Sequence, residues 1–155
     1  MKALENIHEL YAMYLSGQYD CFFRHFEPFL NITGFTSSLE SSGKVLELKD
    51  GYVVLRFDPR TRIADISVIL PENAQGDGGG LKAMLEVGEM VFKDYGASRV
   101  VVITSCDDRH TNEICEKGGF DLEAVHKQSC FYGHRLHDEN RGIMTREKYF
   151  KDYGG

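Results

Sequence analysis

The sequence predicts a single α/β domain. Three observations carry that prediction: 155 residues are one domain's length, the hydrophobic period switches between 3.6 and 2, and residues 63–95 read as strand, glycine loop and helix. With 42% hydrophobic residues, 12% aromatic and 3 prolines, the 17.6 kDa chain can bury a sizeable core and fold alone. Eighteen Lys and Arg stand against 24 Asp and Glu, a net charge of −6. That balance excludes a basic nucleic-acid footprint and a polybasic membrane surface, and leaves small molecules or proteins as partners.

In order along the chain, Leu4, Ile7, Leu10, Tyr11, Tyr14 and Leu15 repeat at helical spacing over residues 2–15, and Ser16-Gly17 ends the pattern. Tyr19, Phe22, Phe23, Phe26 and Leu30 repeat it again with aromatic weight, predicting a second helix that Pro28 kinks or stops. That stripe reads as core, and residues 31–43 read as a loop. From Lys44 the period is two: Val45, Leu46 and Leu48 lead to the hairpin turn Asp50-Gly51, and Tyr52 to Phe57 returns. A turn at residues 58–61 precedes a third meander strand, Arg62 to Leu70, stopped by Pro71. Leu81 to Tyr95 is helical and closes at Gly96. Arg99 to Thr104 is a continuous apolar strand of the doubly buried kind. A short helix begins near Asp107-Asp108 and stops at Gly118-Gly119. Leu122 to Leu136 reads as one strand, and Gly142 to Thr145 as another before a C-terminal turn. The order is α-α-β-β-β-α-β-α-β-β.

Cys21, Cys106, Cys115 and Cys130 lie far apart with no C-x-x-C, which predicts reduced thiols and no zinc ribbon. Glu5, His8 and Glu9 interrupt any secretory apolar run, and no stretch reaches membrane-spanning length, so cytoplasm is the expected compartment. His134-x-x-His137-Asp138 with Cys130 has ligand types without a second pair at zinc spacing, and reads as a polar strand end rather than a metal site. His110 and His126 read as surface or hydrogen-bonded histidines.

The glycine loop Gln75-Gly76-Asp77-Gly78-Gly79-Gly80 carries the chemistry. Without side chains in the way, successive backbone N–H groups can converge, and the next helix adds its four free N–H groups and its positive end. An anion cradle is the functional reading; a flexible surface turn is the structural one. A P-loop lacks its G-K-[ST], and the dinucleotide G-x-G-x-x-G is absent.

Gln75-x-x-Gly78-x-Gly80, with a strand before and a helix after, resembles the Q/R-x-x-G-x-G/A loop of the GNAT acyltransferases. Cys115-Glu116-Lys117-Gly118-Gly119-Phe120, about forty residues on, resembles the family's Y-E-K-L-G-F. The element order resembles the family's over the whole chain. Phe120 through Tyr132-Gly133-His134-Arg135 to Asp138 is weakly similar to the ribosomal-protein N-terminal acetyltransferase branch. The resemblance implies one GNAT-like domain over residues 1–155, with a mixed, mostly antiparallel sheet splayed between the strands ending at Leu70 and Thr104, and helices on both faces. It implies transfer of an acetyl group from acetyl-CoA directly to a primary amine, on a small molecule or a protein N-terminus, with no metal; an oligomer is compatible. Backbone N–H groups of Gln75, Gly76, Asp77, Gly78, Gly79 and Gly80 would hold the CoA pyrophosphate, with Leu81 at the helix start. Val68, Ile69 and Leu70 would pair with pantetheine, and Ile69 N–H would polarise the thioester carbonyl. Asp108 and Thr111 fall on the family's cofactor-contacting Asn and small residue. Asp65 falls where the family carries a glutamate base, and its other reading is a solvated strand carboxylate. Cys115 stands where the family has its general-acid tyrosine, and Asp77 sits in a loop position that is often basic or neutral. Those departures favour the alternative, a non-catalytic CoA-binding sensor or a structural or interaction module.

Overall fold

The computed structural model describes residues 2–49, 51–69 and 79–153. Their strands form one seven-stranded sheet ordered β1-β2-β3-β4-β5-β7-β6. The strands are β1 (Lys2–Ala3), β2 (Lys44–Glu47), β3 (Tyr52–Asp58), β4 (Ile63–Ile69), β5 (Arg99–Ser105), β6 (Asp121–Tyr132) and β7 (Arg135–Thr145). Every neighbouring pair is antiparallel except β4 and β5, which run parallel. A parallel pair needs a crossover, here α3 (Gly79–Glu89) continued by a π-helical turn over Met90–Asp94. The mixed, mostly antiparallel sheet is the one the resemblance implies, with helices on both faces.

Alternation along β4 sorts the two faces. Ala64, Ile66 and partly buried Val68 point into one core with Val87, Val91 and Phe92 of α3 and its extension, and with Tyr149 of α5 (Arg146–Asp152). Asp65, Ser67 and Ile69 point the other way. There Ile69 joins Tyr52 and Val54 in a second core with Leu10 and Met13 of α1 (Ile7–Ser16) and Phe35 and Leu39 of α2 (Ile32–Ser42). β5 is buried on both faces over Val100, Val101 and Val102, as its apolar run predicts, whereas Ile103 is exposed.

Four local expectations are corrected. Residues 19–30 are not a helix: the Tyr19 carbonyl accepts from both Phe22 N and Phe23 N, and a chain of turns follows to Phe29, whose φ is +60°. The rings cluster without helical backbone, Phe23 standing edge-on to Tyr14, Phe22 and Phe26. The second helix is instead α2, in the segment read as a loop. Asn31 caps it by accepting from Gly34 N at 2.8 Å, and Phe35 and Leu39 supply a narrow i,i+4 apolar seam that a Ser- and Gly-rich sequence obscures. The strand read as residues 122–136 is two: β6 ends at Tyr132, and Gly133 (φ +58°) and His134 (φ +64°) make the two positive-φ residues of a type I′ turn into β7. β7 then runs through Gly142–Thr145 as one strand. The first helix starts at Ile7 rather than residue 2, because Lys2–Ala3 pair with β2 and Asn6 caps α1 through His8 N.

Candidate functional site

The sheet opens where its one parallel pairing stops. β4 and β5 pair from Ile63↔Arg99 to Ile66↔Val102 and no further. Beyond that point Ser67–Ile69 stay paired only with β3, and Ile103–Ser105 only with β7. The splay implied for the strands ending at Leu70 and Thr104 is present, although Leu70 itself lies outside the described residues. Backbone polar groups freed by a splay need new partners. Arg24 supplies one: its Nη2 donates to the Ile103 carbonyl at 3.0 Å, while Nη1 donates to Cys21 O at 2.6 Å.

Between the splayed strands lies a cleft of about 230 Å³, bordered by Val68, Ile69, Val102 and Thr104. Its far wall is the start of α3 at Gly80 and the first turns of α4 (Arg109–Lys117), with Asp108, His110, Thr111 and Ile114. Gln18, Tyr19, Cys21, Phe22 and Arg24 close the near side. Phe22, Arg24, Ser67 and Ile103 border a second groove as well, of about 550 Å³, which reaches Arg56, Asp65 and Arg141 on the same sheet face. The two spaces share those four lining residues and so lie next to each other at the sheet's opening.

Val68, Ile69, Gly80, Asp108 and Thr111 all border the cleft. Asp108 also caps α4, accepting from Thr111 N at 3.2 Å. Gln75, Gly76, Asp77 and Gly78 lie outside the described residues; Gly79 is the first residue of α3, so the helix begins two residues before Leu81. Leu81 borders a small apolar pocket facing Tyr149 and Tyr153 instead of the cleft. Asp65, exposed, lies in the second groove two residues from Ser67 and on its face. Cys115 packs against the α3-side core and borders a separate pocket with Asn112 and Asn140. Burial, and then the nearby Asp108 carboxylate, pushes its thiol up to about 12.

The linear sequence concealed four parts of this arrangement. His110 borders the cleft half-buried, with its Nε2 buried and without a hydrogen-bond partner among the described residues. Glu139, 5% exposed, accepts from Arg24 Nε at 2.6 Å and from Ser129 Oγ at 2.8 Å, and lies 2.9 Å from His25 Nε2. Burial alone would raise its pKa, but the hydrogen bonds and the Arg24 charge overturn that and bring it to about 2. Arg56 and Arg141 reach the groove from strands far apart in sequence. The period-2 alternation of β4 is the one signal that could have placed Ser67 beside Asp65 and Ile69.

His137, singled out with His134 and Asp138, is ring-stacked on Tyr132 at 3.7 Å and hydrogen-bonded to Asp107 and to the Tyr132 carbonyl. It organises the β6–β7 turn. No group of three or more metal-ligating side chains occurs among the described residues, and none of their helices is long and apolar enough to cross a membrane.

No protein-family model matches the chain, and no curated protein matches it by sequence. Solved structures do match. A spermidine N-acetyltransferase from Vibrio cholerae, crystallised with CoA and spermine, superposes with a TM-score of 0.78 at 17% identity, covering 96% of each chain. A GNAT-family acetyltransferase from Bacillus anthracis gives 0.57 at 17% identity over 63% of this chain and 59% of its own. A probable acetyltransferase gives 0.59 at 18% identity over 64% of this chain and 56% of its own. At these identities the likeness is one of architecture: the chain has the fold of the GNAT acetyltransferases.

Proposed function

We propose that the protein is an acetyl-CoA-dependent N-acetyltransferase that passes the acetyl group directly to a primary amine. The observation that carries this reading is the passage itself. The β4–β5 splay opens a cleft with a helix N-terminus at one end, and a polar groove continues past Ser67 on the other side. A linear thioester and an amine can meet there from opposite directions, as direct transfer requires.

The residues present fit CoA. Val68, Ile69, Met84, Val102 and Ile114 give an apolar slot that would take pantetheine, and the first N–H groups of the 11-residue α3, which begins beside the cleft at Gly80, would suit anionic phosphate. By the resemblance, residues 75–78 would belong to the same cradle; they lie outside the described residues. Ile69 N–H polarises the thioester carbonyl, and Asp65, on the same face, takes the amine proton through the groove. Cys115 holds the position of the family's acid; its thiol, up at about 12, donates poorly to a thiolate that is itself a good leaving group. That observation favours the second reading, a CoA-binding domain without transfer. A protein N-terminus as acceptor rests on the Phe120–Asp138 resemblance alone.

Thermal unfolding with and without millimolar CoA, followed by CoA release from acetyl-CoA across an amine panel, tests both. A ligand present at about 100 times its dissociation constant adds about 2.7 kcal/mol of stability. Stabilisation with amine-dependent release is the expected result; stabilisation without release leaves a sensor, and neither leaves a structural module.

A further inference from the structure

Resting on the transfer reading above, we propose that the acceptor is a small zwitterionic amine of the amino-acid type, with a free carboxylate near its reacting amine, and not a polycation. The groove on the acceptor side of Ser67 has a charge pattern laid out by sheet register. Arg56 on β3 stands directly opposite Asp65 on β4, so their side chains share the groove face about 5 Å apart at Cβ. Val101 on β5 is level with Asp65, and Arg141 on β7 is level with Ile103. Asp65 thus has one arginine directly across from it, Arg56, and shares the groove with a second, Arg141, which stands two strands away and level with Ile103.

The other charges in the groove cancel. Glu139 is held by Arg24, with His25 and Ser129 taking its remaining lone pairs, so neither Glu139 nor Arg24 is available to a ligand. Arg56 donates through Nη2 alone, to the carbonyls of Ser41 and Ser42, and forms no ion pair among the described residues. It keeps Nε and Nη1, two of the donors that suit a carboxylate. Arg141 uses Nε for Glu123 at 3.2 Å and keeps both Nη groups. What lines the groove is one carboxylate, Asp65, with the unpaired guanidinium of Arg56 directly across from it, the Glu123-paired Arg141 farther along, and the apolar Ile103 (37% exposed) and Phe22. A polyamine would set further ammonium groups against the arginines. An amino acid instead places its amine at Asp65, its carboxylate at Arg56 or Arg141, and its side chain on Ile103. A space of about 550 Å³ suits a small molecule of this class.

The test is steady-state CoA release by the full chain with acetyl-CoA and three acceptors: L-leucine, L-leucinamide and spermidine. The amide keeps size and amine but removes the carboxylate. The expected result is a kcat/KM for leucine at least about tenfold above that for leucinamide, carried by KM, with spermidine lowest. Arg56→Gln and Arg141→Gln should each shrink the acid-to-amide ratio. Spermidine as the best acceptor, or equal rates for acid and amide, overturns the proposal while leaving transfer intact. Unfolding with CoA plus each acceptor separates the two readings when no acceptor is turned over. Leucine stabilising the CoA-loaded protein more than leucinamide supports the carboxylate site although transfer fails; equal stabilisation overturns it.

Discussion

Asp65 and Cys115, the two side chains proposed for proton movement, lie on opposite faces of the sheet. Asp65 opens to the groove, whereas Cys115 packs with the core that holds Ala64 and Ile66. Their substitutions should therefore behave differently. Asp65→Asn is expected to lower kcat at neutral pH by roughly tenfold, the low side of general-base effects, and to recover in part at high pH, where more of the amine is already neutral. A flat pH profile of the loss would exclude Asp65 as the base. Cys115→Ala should change kcat/KM by less than about threefold, because a thiol held up at about 12 is a poor acid for a leaving thiolate. A drop of two orders of magnitude would make Cys115 the acid after all. His110 borders the cleft with its buried Nε2 unpartnered among the described residues.

At the scale of elements, two helix starts do different work. Gly80 at the start of α3 is buried and borders the cleft, and on the proposed reading a β-branched side chain there would intrude on the phosphate end. Gly80→Val should abolish CoA-dependent stabilisation in a protein that still unfolds cooperatively; unchanged CoA affinity would remove this end of the cleft as the phosphate site. α2 depends on its cap. Asn31→Ala removes the bond to Gly34 N and should cost about 1 kcal/mol, a melting shift of roughly 2–4 °C. The junction after α2 is stricter: Gly43 has φ +146°, and a Cβ there would come within 2.6 Å of the Leu55 carbonyl oxygen. No L side chain fits that contact without moving β3.

For the molecule as a whole, Glu139 ties the ends of the chain together. It sits on β7 and takes Arg24 and His25 from the segment after α1, across 115 and 114 residues. Its carboxyl is depressed in the fold to about 2 from 4.5, so it contributes full stability above pH 4.5, and that contribution is lost as pH falls from about 4.5 to about 2. Glu139→Gln should remove this pH dependence from urea unfolding curves. At neutral pH it should destabilise by about 3 kcal/mol, because it leaves Arg24, 9% exposed, without its counter-charge. An unchanged acid limb in the variant would assign it to other carboxylates.

The meander of β2, β3 and β4, the doubly buried β5, the cap at Asp108 and the helix over α3 are written in the sequence, because period, turn residues and caps act over a few neighbours. So is the strand, glycine loop and helix order on which the whole functional reading depends. The Phe-rich turns after Gly17 were not legible as turns: aromatic residues at helical spacing bury equally well in a cluster, and the cluster formed against Phe35 of a helix the local pattern did not announce. The groove was less legible still. Arg56, Asp65, Ile103 and Arg141 span 85 residues and meet only through the register of four strands, which sets which side chains share a face. Local chemistry determined most of the elements and the place of the glycine-rich segment between a strand and a helix; tertiary structure decided where the sheet opens and which charges look into the opening.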